Sequence, residues 1–173
     1  MCSGIHPNPG PTLEFSDLKL CHANVRSLKA RNSNGIMEKF EYIKCNLSSS
    51  YDIITVSETW LSADYDTDLF HMSKFQTPFR KDRVCANGTG YGGVLAWVSS
   101  EIACKRRQDF EIPELEAMWL ELRSHNNKFF LCVTYRKPST ANFWDLLETS
   151  LNTVLEMQGA KIVIVGDMNA DLN

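Results

Sequence analysis

Asp167 and Asn169, in Gly166-Asp167-Met168-Asn169 near the end of the chain, place an acid and an amide two residues apart. On an extended edge such side chains point the same way, so both can act on one water, metal or phosphate oxygen. Asn24 and Glu58 add a second amide and a second carboxylate, each just after a strand-like run. Together the four supply a hard oxygen ligand for Mg²⁺, a carboxylate to orient a water, and two amides to hold phosphate oxygens. Tyr135, with Arg136 and Lys137 beside it, ends another such run. Each residue also has an ordinary reading. An Asp/Asn pair is a turn, an Asn after a strand is a turn former, a Glu there is solvated, and a lone Tyr is an edge aromatic. The chemical reading requires that residues far apart in sequence converge.

Strands gathered in a sheet would achieve that. Lys161 to Val165 is β-branched and apolar, a buried strand, and Gly166 lets the backbone turn without a Cβ clash. Leu18 to Asn24 alternates as a half-buried strand, and Tyr51 to Ser57 is a second buried one. Gly88, Gly90, Gly92 and Gly93 precede a strand at Val94 to Val98, and a further strand is expected near Ala103 to Phe110. Ala117 to Arg123 and Lys128 to Tyr135 read as a hairpin joined by Ser124-His125-Asn126-Asn127. Ile36, Phe40, Ile43 and Leu47 recur at helical spacing, predicting a helix over 36–47. A second helix is expected over Ala141 to Met157, capped by Ser139 or Thr140, with Phe143, Leu147, Leu151 and Val154 on its apolar stripe. Thr59 to Asn87 is irregular, with aromatic anchors at Trp60, Phe70, Phe75 and Phe79. Hairpins beside two helical crossovers imply a mixed-sheet α+β or α/β layered domain over 18–173. Residues 1–17 form a leader whose Met1 to Pro11 is turn-rich and expected to be disordered.

Composition narrows the classes. A chain of 173 residues with 43% hydrophobic and 23% charged residues fits one globular domain with a substantial core. No apolar run reaches the roughly 18 residues of a membrane span, and the N-terminus lacks the marks of a secretory signal. Six scattered cysteines without a CxxC pair read as reduced thiols, mostly in the core, and an intracellular setting fits best. The net charge of −3 gives no global pull toward nucleic acid. For the basic clusters Arg80-Lys81-Asp82-Arg83, Lys105-Arg106-Arg107 and Arg136-Lys137, solvated faces are expected, with phosphate contacts open where a cluster flanks a site.

Five stretches in order make the chain recognisable: LCHANVRSL around Asn24, DIITVSETWL around Glu58, RKDRVCANGTGYGGVLAWV from Arg80, EAMWLEL with FFLCVTYRKP through Tyr135, and IVIVGDMNAD at Asp167. The sequence resembles the endonuclease/exonuclease/phosphatase superfamily, and most nearly the endonuclease domains of non-LTR (LINE-type) retrotransposon polyproteins. The resemblance implies a DNase I-like, four-layered α/β sandwich with its site at one end of two packed sheets. It implies Mg²⁺-dependent hydrolysis of phosphodiesters, with Mn²⁺ as a substitute, and nicking of target DNA. By motif, Glu58 would bind the metal with support from Asn24. Asp167 would orient the attacking water, and Asn169 and Tyr135 would contact the phosphate. DNA is the implied partner, with a reverse transcriptase domain in a full-length polyprotein and a nuclear setting. Arg26 stands where the repair-type branch carries a second acid, which argues against an abasic-site repair enzyme.

The pattern also departs from the family. A Ser-Asp-His segment is expected well downstream of the GDxN strand, and none of His6, His22, His71 or His125 has that context. The chain therefore reads as roughly the first three-quarters of a domain, incomplete at the C-terminus, with activity weak or lost. Its last strand is expected to leave a core face and a sheet edge uncovered. Gly4 to Pro11 resembles the end of a ribosome-skipping peptide, but Gly4 and His6 replace its acidic residues. Two other readings stay open: an inactive retroelement remnant, and a superfamily cousin acting on lipid or inositol phosphates.

Overall fold

The computed structural model of the protein describes residues 17–83, 90–124, 127–138 and 140–170. The leader, the glycine-rich stretch through Gly88, the centre of the Ser124–Asn127 hairpin, Ser139, Cys2 and Cys85 fall outside those residues wholly or in part. Eight strands and two helices follow in the order β1 (Leu20–Asn24), α1 (Glu38–Asn46), β2 (Ile53–Ser57), β3 (Phe79–Lys81), β4 (Val94–Val98), β5 (Ala103–Arg106), β6 (Ala117–Ser124), β7 (Asn127–Tyr135), α2 (Phe143–Leu155) and β8 (Ile162–Asp167). They form two four-stranded mixed sheets, ordered β1-β2-β4-β3 and β5-β6-β7-β8.

Three apolar layers hold the sheets and helices together. Between the sheets, Ile53, Val94, Ala96 and Val98 meet Met118, Leu120, Leu122, Leu131 and Val133. Because side chains alternate along a strand, the residues between these face outward. Ile54, Val56, Leu95 and Trp97 pack under Phe40 and Ile43 of α1. Ala117, Trp119, Phe130 and Cys132 pack under Phe143, Leu147 and Val154 of α2. The result is helix, sheet, sheet, helix, the expected four layers. It explains why β4 is apolar on both faces rather than alternating and why every residue of β2 and β4 is buried, Thr55 and Ser57 included.

Each helix serves as a crossover between parallel neighbours. β1 and α1 lead to β2, paired parallel through Asn24↔Ser57, and β7 and α2 lead to β8, paired parallel through Tyr135↔Asp167. Parallel strands end at the same rim, so Asn24, Ser57, Tyr135 and Asp167 come out side by side on two packed sheets. Gly166 is required for a closer reason than the turn expected of it. A Cβ there would lie 1.9 Å from the backbone oxygen of Thr134, its partner on β7. Gly166→Ala is expected to cost about 1–3 kcal/mol, as overpacking against backbone does, read as a lowered Tm. An unchanged Tm would mean that β8 sits farther from β7.

Several local expectations need correction. Asn142, not Ser139 or Thr140, is the N-cap of α2, and its side chain makes no capping bond. β5 stops at Arg106, and Gln108–Phe110 closes instead as a 3-10 turn that buries Phe110. β1, by contrast, is half-buried as expected, with Leu18 and Leu20 against the inter-sheet core and Cys21 and Ala23 against the α1 layer. Of the described cysteines all are free thiols, but only Cys132 is buried and Cys45 is exposed. β8 is only partly buried along its length, unlike β2 and β4, and Val163 is exposed.

Most side chains of the first two basic clusters are internal braces rather than solvated faces, while Lys105 and Lys137 are exposed as expected. Arg80 pairs with Asp82 at 2.5 Å, and Arg83 pairs with Glu116. Lys81 reaches Glu111 at 3.5 Å, and Arg106 meets the same carboxylate through two bonds of 2.8 Å. Arg107 joins Asp109 and Glu121, each at 2.6 Å.

Candidate active site

The rim is built around the Asn24 amide. Its Nδ2 donates to Glu58 Oε1 at 2.7 Å and to Asp167 Oδ2 at 2.6 Å. One side chain thus ties the end of β1 to the residue after β2 and, across the sheet interface, to the end of β8. The Asn24 Oδ1 accepts from the Arg26 N–H at 3.1 Å, which fixes the orientation of the amide. Glu58 has a second donor. The Trp60 indole N–H approaches Oε2 at 3.3 Å, and the Tyr135 phenol lies close enough to feel the charge of the same carboxylate.

The loops are held by backbone bonds that force unusual dihedrals. Ser27 and Leu28 donate to the carbonyls of Glu58 and Thr59 at 2.7 and 2.9 Å, so the loop after β1 tracks the loop after β2. Trp60 N in turn donates to Gly92 O at 2.8 Å. Gly93 fits beneath because a Cβ there would lie 2.5 Å from the Thr59 hydroxyl. Among the described residues the non-glycine positions with positive φ are Arg26, Ser27, Glu58, Trp60 and Asn169, and every one lies in these rim loops. Such conformations cost on the order of 1–3 kcal/mol each and persist where surrounding structure over-determines them, a common mark of functional sites.

Asp167 and Asn169 form a tight turn. Asn169 N donates to Asp167 Oδ1 at 3.1 Å, while the Asn169 Nδ2 donates to the Arg136 carbonyl at 2.6 Å. Arg136 closes the clamp: its N–H bonds the Asp167 carbonyl at 2.9 Å and its Nη1 bonds the Asn169 carbonyl at 2.9 Å. All five residues singled out from sequence therefore come to one rim. The amide of Asn169 is turned toward the β7–α2 loop rather than directly toward the carboxylates.

Electrostatics follow from burial. The Tyr135 phenol is pushed up to about 12, first by burial and then by the charge of Glu58, with the Arg83 guanidinium above its ring opposing. It is a neutral donor at ordinary pH. An absorbance titration of the protein against its Tyr135→Phe variant is expected to show this phenolate forming near pH 12. In a Glu58→Gln background it should form at lower pH, because the carboxylate charge is gone; an unmoved midpoint would exclude the contact. His22 lies below the rim, facing inward, with Nδ1 at 3.0 Å from the Thr55 hydroxyl and Nε2 at 3.3 Å from that of Ser57. Burial lowers its pKa, against the opposing charge of Asp167, so it is a neutral ring inside a small polar ladder.

Trp60, Arg136 and His22 were not assigned roles by sequence reasoning. Trp60 had a signal, standing two residues beyond Glu58; Arg136 and His22 act through backbone and hydroxyl partners that no motif displays.

The donor set suits a hard cation. Two carboxylates and an amide meet without thiolate or imidazole, and among the described residues no three His, Cys, Asp or Glu side chains cluster. The two carboxylates match the one or two that Mg²⁺ takes while keeping several waters.

Comparisons with known proteins agree with this fold. No curated protein matches the chain. Solved structures with a similar fold include the endonuclease domain of TRAS1, a telomere-specific non-LTR retrotransposon, at 15% identity and TM-score 0.54, covering 89% of this chain and 60% of that one. They include the AP endonuclease LMAP of Leishmania major, at 17% identity and TM-score 0.62, covering 88% and 55%. TDP2 of C. elegans matches at 15% identity and TM-score 0.61, covering 89% and 48%. The chain thus spans about half to three-fifths of the length of these structures. No helix among the described residues is long and apolar enough to cross a membrane. The model of the Endonuclease/Exonuclease/phosphatase family matches residues 21–173, which contain every side chain of the rim. With two mixed sheets between helices and the family pattern running from β1 through Asp167, the chain belongs to the endonuclease/exonuclease/phosphatase family.

Proposed function

We propose that this chain is a phosphodiester-cleaving domain of the retroelement endonuclease kind, acting on DNA with Mg²⁺, or Mn²⁺ in its place. The observation that carries the reading is the Asn24 amide spanning the Glu58 and Asp167 carboxylates at 2.7 and 2.6 Å. Glu58 would hold the metal, with Asn24 supporting it through the Nδ2 bond that positions the carboxylate. Bound there, the cation would neutralise charge developing on a phosphate oxygen. Asp167, held by Asn24 and by the Asn169 N–H, would orient a water. Asn169 spends one N–H on Arg136, and an amide nitrogen carries two, so the second can meet a phosphate oxygen. Tyr135, neutral and buried, would donate from the opposite side. The motif order of a LINE-type domain and the fold shared with a retrotransposon endonuclease support DNA as the substrate. A reverse transcriptase domain in a longer polyprotein and a nuclear setting belong to the same proposal.

One observation favours weak activity. Among the described residues, the histidine that feels the charge of Asp167 is His22, and Thr55 and Ser57 engage both its ring nitrogens. A substrate panel separates the readings: supercoiled plasmid, abasic duplex, and inositol and lipid phosphates, each with Mg²⁺ and with chelator. Metal-dependent plasmid nicking above the other activities is expected. Preferred hydrolysis of a lipid or inositol phosphate would overturn the DNA assignment, and no turnover of any substrate would favour an inert remnant.

A further inference from the structure

A groove of about 540 Å³ runs beside Tyr135, lined also by Arg83, Tyr91, Glu114, Glu116 and Lys137. The roles given to the rim residues leave it unused. We propose that it takes the nucleobase next to the scissile phosphate, stacked on an open face of Tyr91. The inference rests on the DNA-cleaving reading and extends it.

Continuity comes first. Tyr135 forms part of the groove and is paired across β7 and β8 with Asp167, so a molecule filling the groove abuts the carboxylate rim. Tyr91 comes second. It is 61% exposed, and its ring stands at 82° to that of Trp60 with centroids 4.8 Å apart. Trp60 is itself anchored, with its indole N–H 3.3 Å from Glu58 Oε2. In an edge-to-face pair at least one face of Tyr91 stays uncovered, and its position is fixed relative to Glu58 through a single intervening ring. Charge comes third. Arg83 is spent on Glu116, and the exposed Lys137 is balanced by the exposed Glu114, so the formal charges of the lining cancel. A neutral groove with an aromatic wall suits a base rather than a phosphate, because stacking on an aromatic face works for every base. Glu114 would accept a hydrogen bond from an exocyclic amine, giving a modest preference for bases that carry one.

The test uses a nicked duplex, which fixes the register of the site, with 2-aminopurine at the first base on either side of the nick. Ca²⁺ replaces Mg²⁺ to suppress cleavage. The expected result is that the protein and its Tyr91→Phe variant change the 2-aminopurine emission on one side of the nick only. Tyr91→Ala loses that change and binds about tenfold more weakly. Tyr91 is largely exposed, so the variant should keep the parent Tm, which is measured alongside. Tyr91→Ala binding with the parent affinity and the same emission change would overturn the groove assignment while leaving the nuclease reading intact. Failure of the parent protein to bind the nicked duplex would overturn the nuclease reading, and this inference with it.

Discussion

Supercoiled plasmid mixed with this chain and Mg²⁺ is expected to be nicked slowly, with turnover on the order of 0.01 to 0.1 per second or lower. The figure comes from a median enzyme turnover of about 10 per second, reduced by the hundred- to thousandfold typical of losing one preorganised transition-state partner. The family resemblance calls for a histidine as that partner, and no histidine among the described residues is bonded to Glu58 or Asp167. His22 is no substitute. It sits below the rim, is neutral through burial, and is bonded at both nitrogens. The remaining groups are well placed: Asp167 is fixed by two donors and Glu58 by Asn24 and Trp60. Some Glu58-dependent turnover should therefore survive. Nicking near 10 per second that depends on Glu58 would show that this rim works without the histidine.

Glu111→Ala is expected to destabilise the fold by about 3 kcal/mol, toward the lower end of the range for breaking a buried ion pair. Glu111 is the carboxylate shared by Lys81 on β3 and Arg106 on β5, so it pins one sheet to the other. Its side chain is 8% exposed and the two cations are 16% and 24% exposed, which leaves water able to soften the loss. Burial already pushes the Lys81 ammonium down, and Glu111 is the largest opposing influence. Without Glu111 the folded state should hold that proton less tightly than the unfolded chain does. The variant should then regain stability as pH rises toward the ordinary lysine range, since stability increases with pH wherever the unfolded state binds more protons. Urea denaturation at several pH values measures both effects. A variant as stable as the parent would mean that Lys81 is satisfied by its bonds to the carbonyls of Ile112, Leu115 and Ala117 alone.

Much of this arrangement was legible from sequence because strand ends carry the chemistry. The β-branched runs ending at Ser57 and Val165 and the alternating run ending at Asn24 mark three strands of the rim, and parallel pairing does the rest. Asn24 and Asp167 meet although 143 residues separate them. What escaped were features decided by register and by backbone partners. The basic clusters read as solvated because Glu111 and Glu116 lie some thirty residues away from Lys81 and Arg83, and only the packed sheets bring them together. The Arg136 clamp escaped because its acceptors are the carbonyls of Met168 and Asn169, which any residue supplies. Gly166 looked like a turn residue, whereas the demand on it is the proximity of Thr134 across the β7–β8 pair.

The junction of Glu58, Asn24 and Asp167 is the proposed place for a hard divalent cation. Calorimetric titration of Mg²⁺ into the protein and into its Glu58→Gln variant tests that directly. Two carboxylates and an amide, with the remaining positions left to water, predict weak binding by the parent. Glu58→Gln should abolish it, while Glu114→Gln, an exposed acid of the neighbouring groove, should leave it unchanged. Mg²⁺ binding that is tight and equal in the parent and in Glu58→Gln would contradict the assignment.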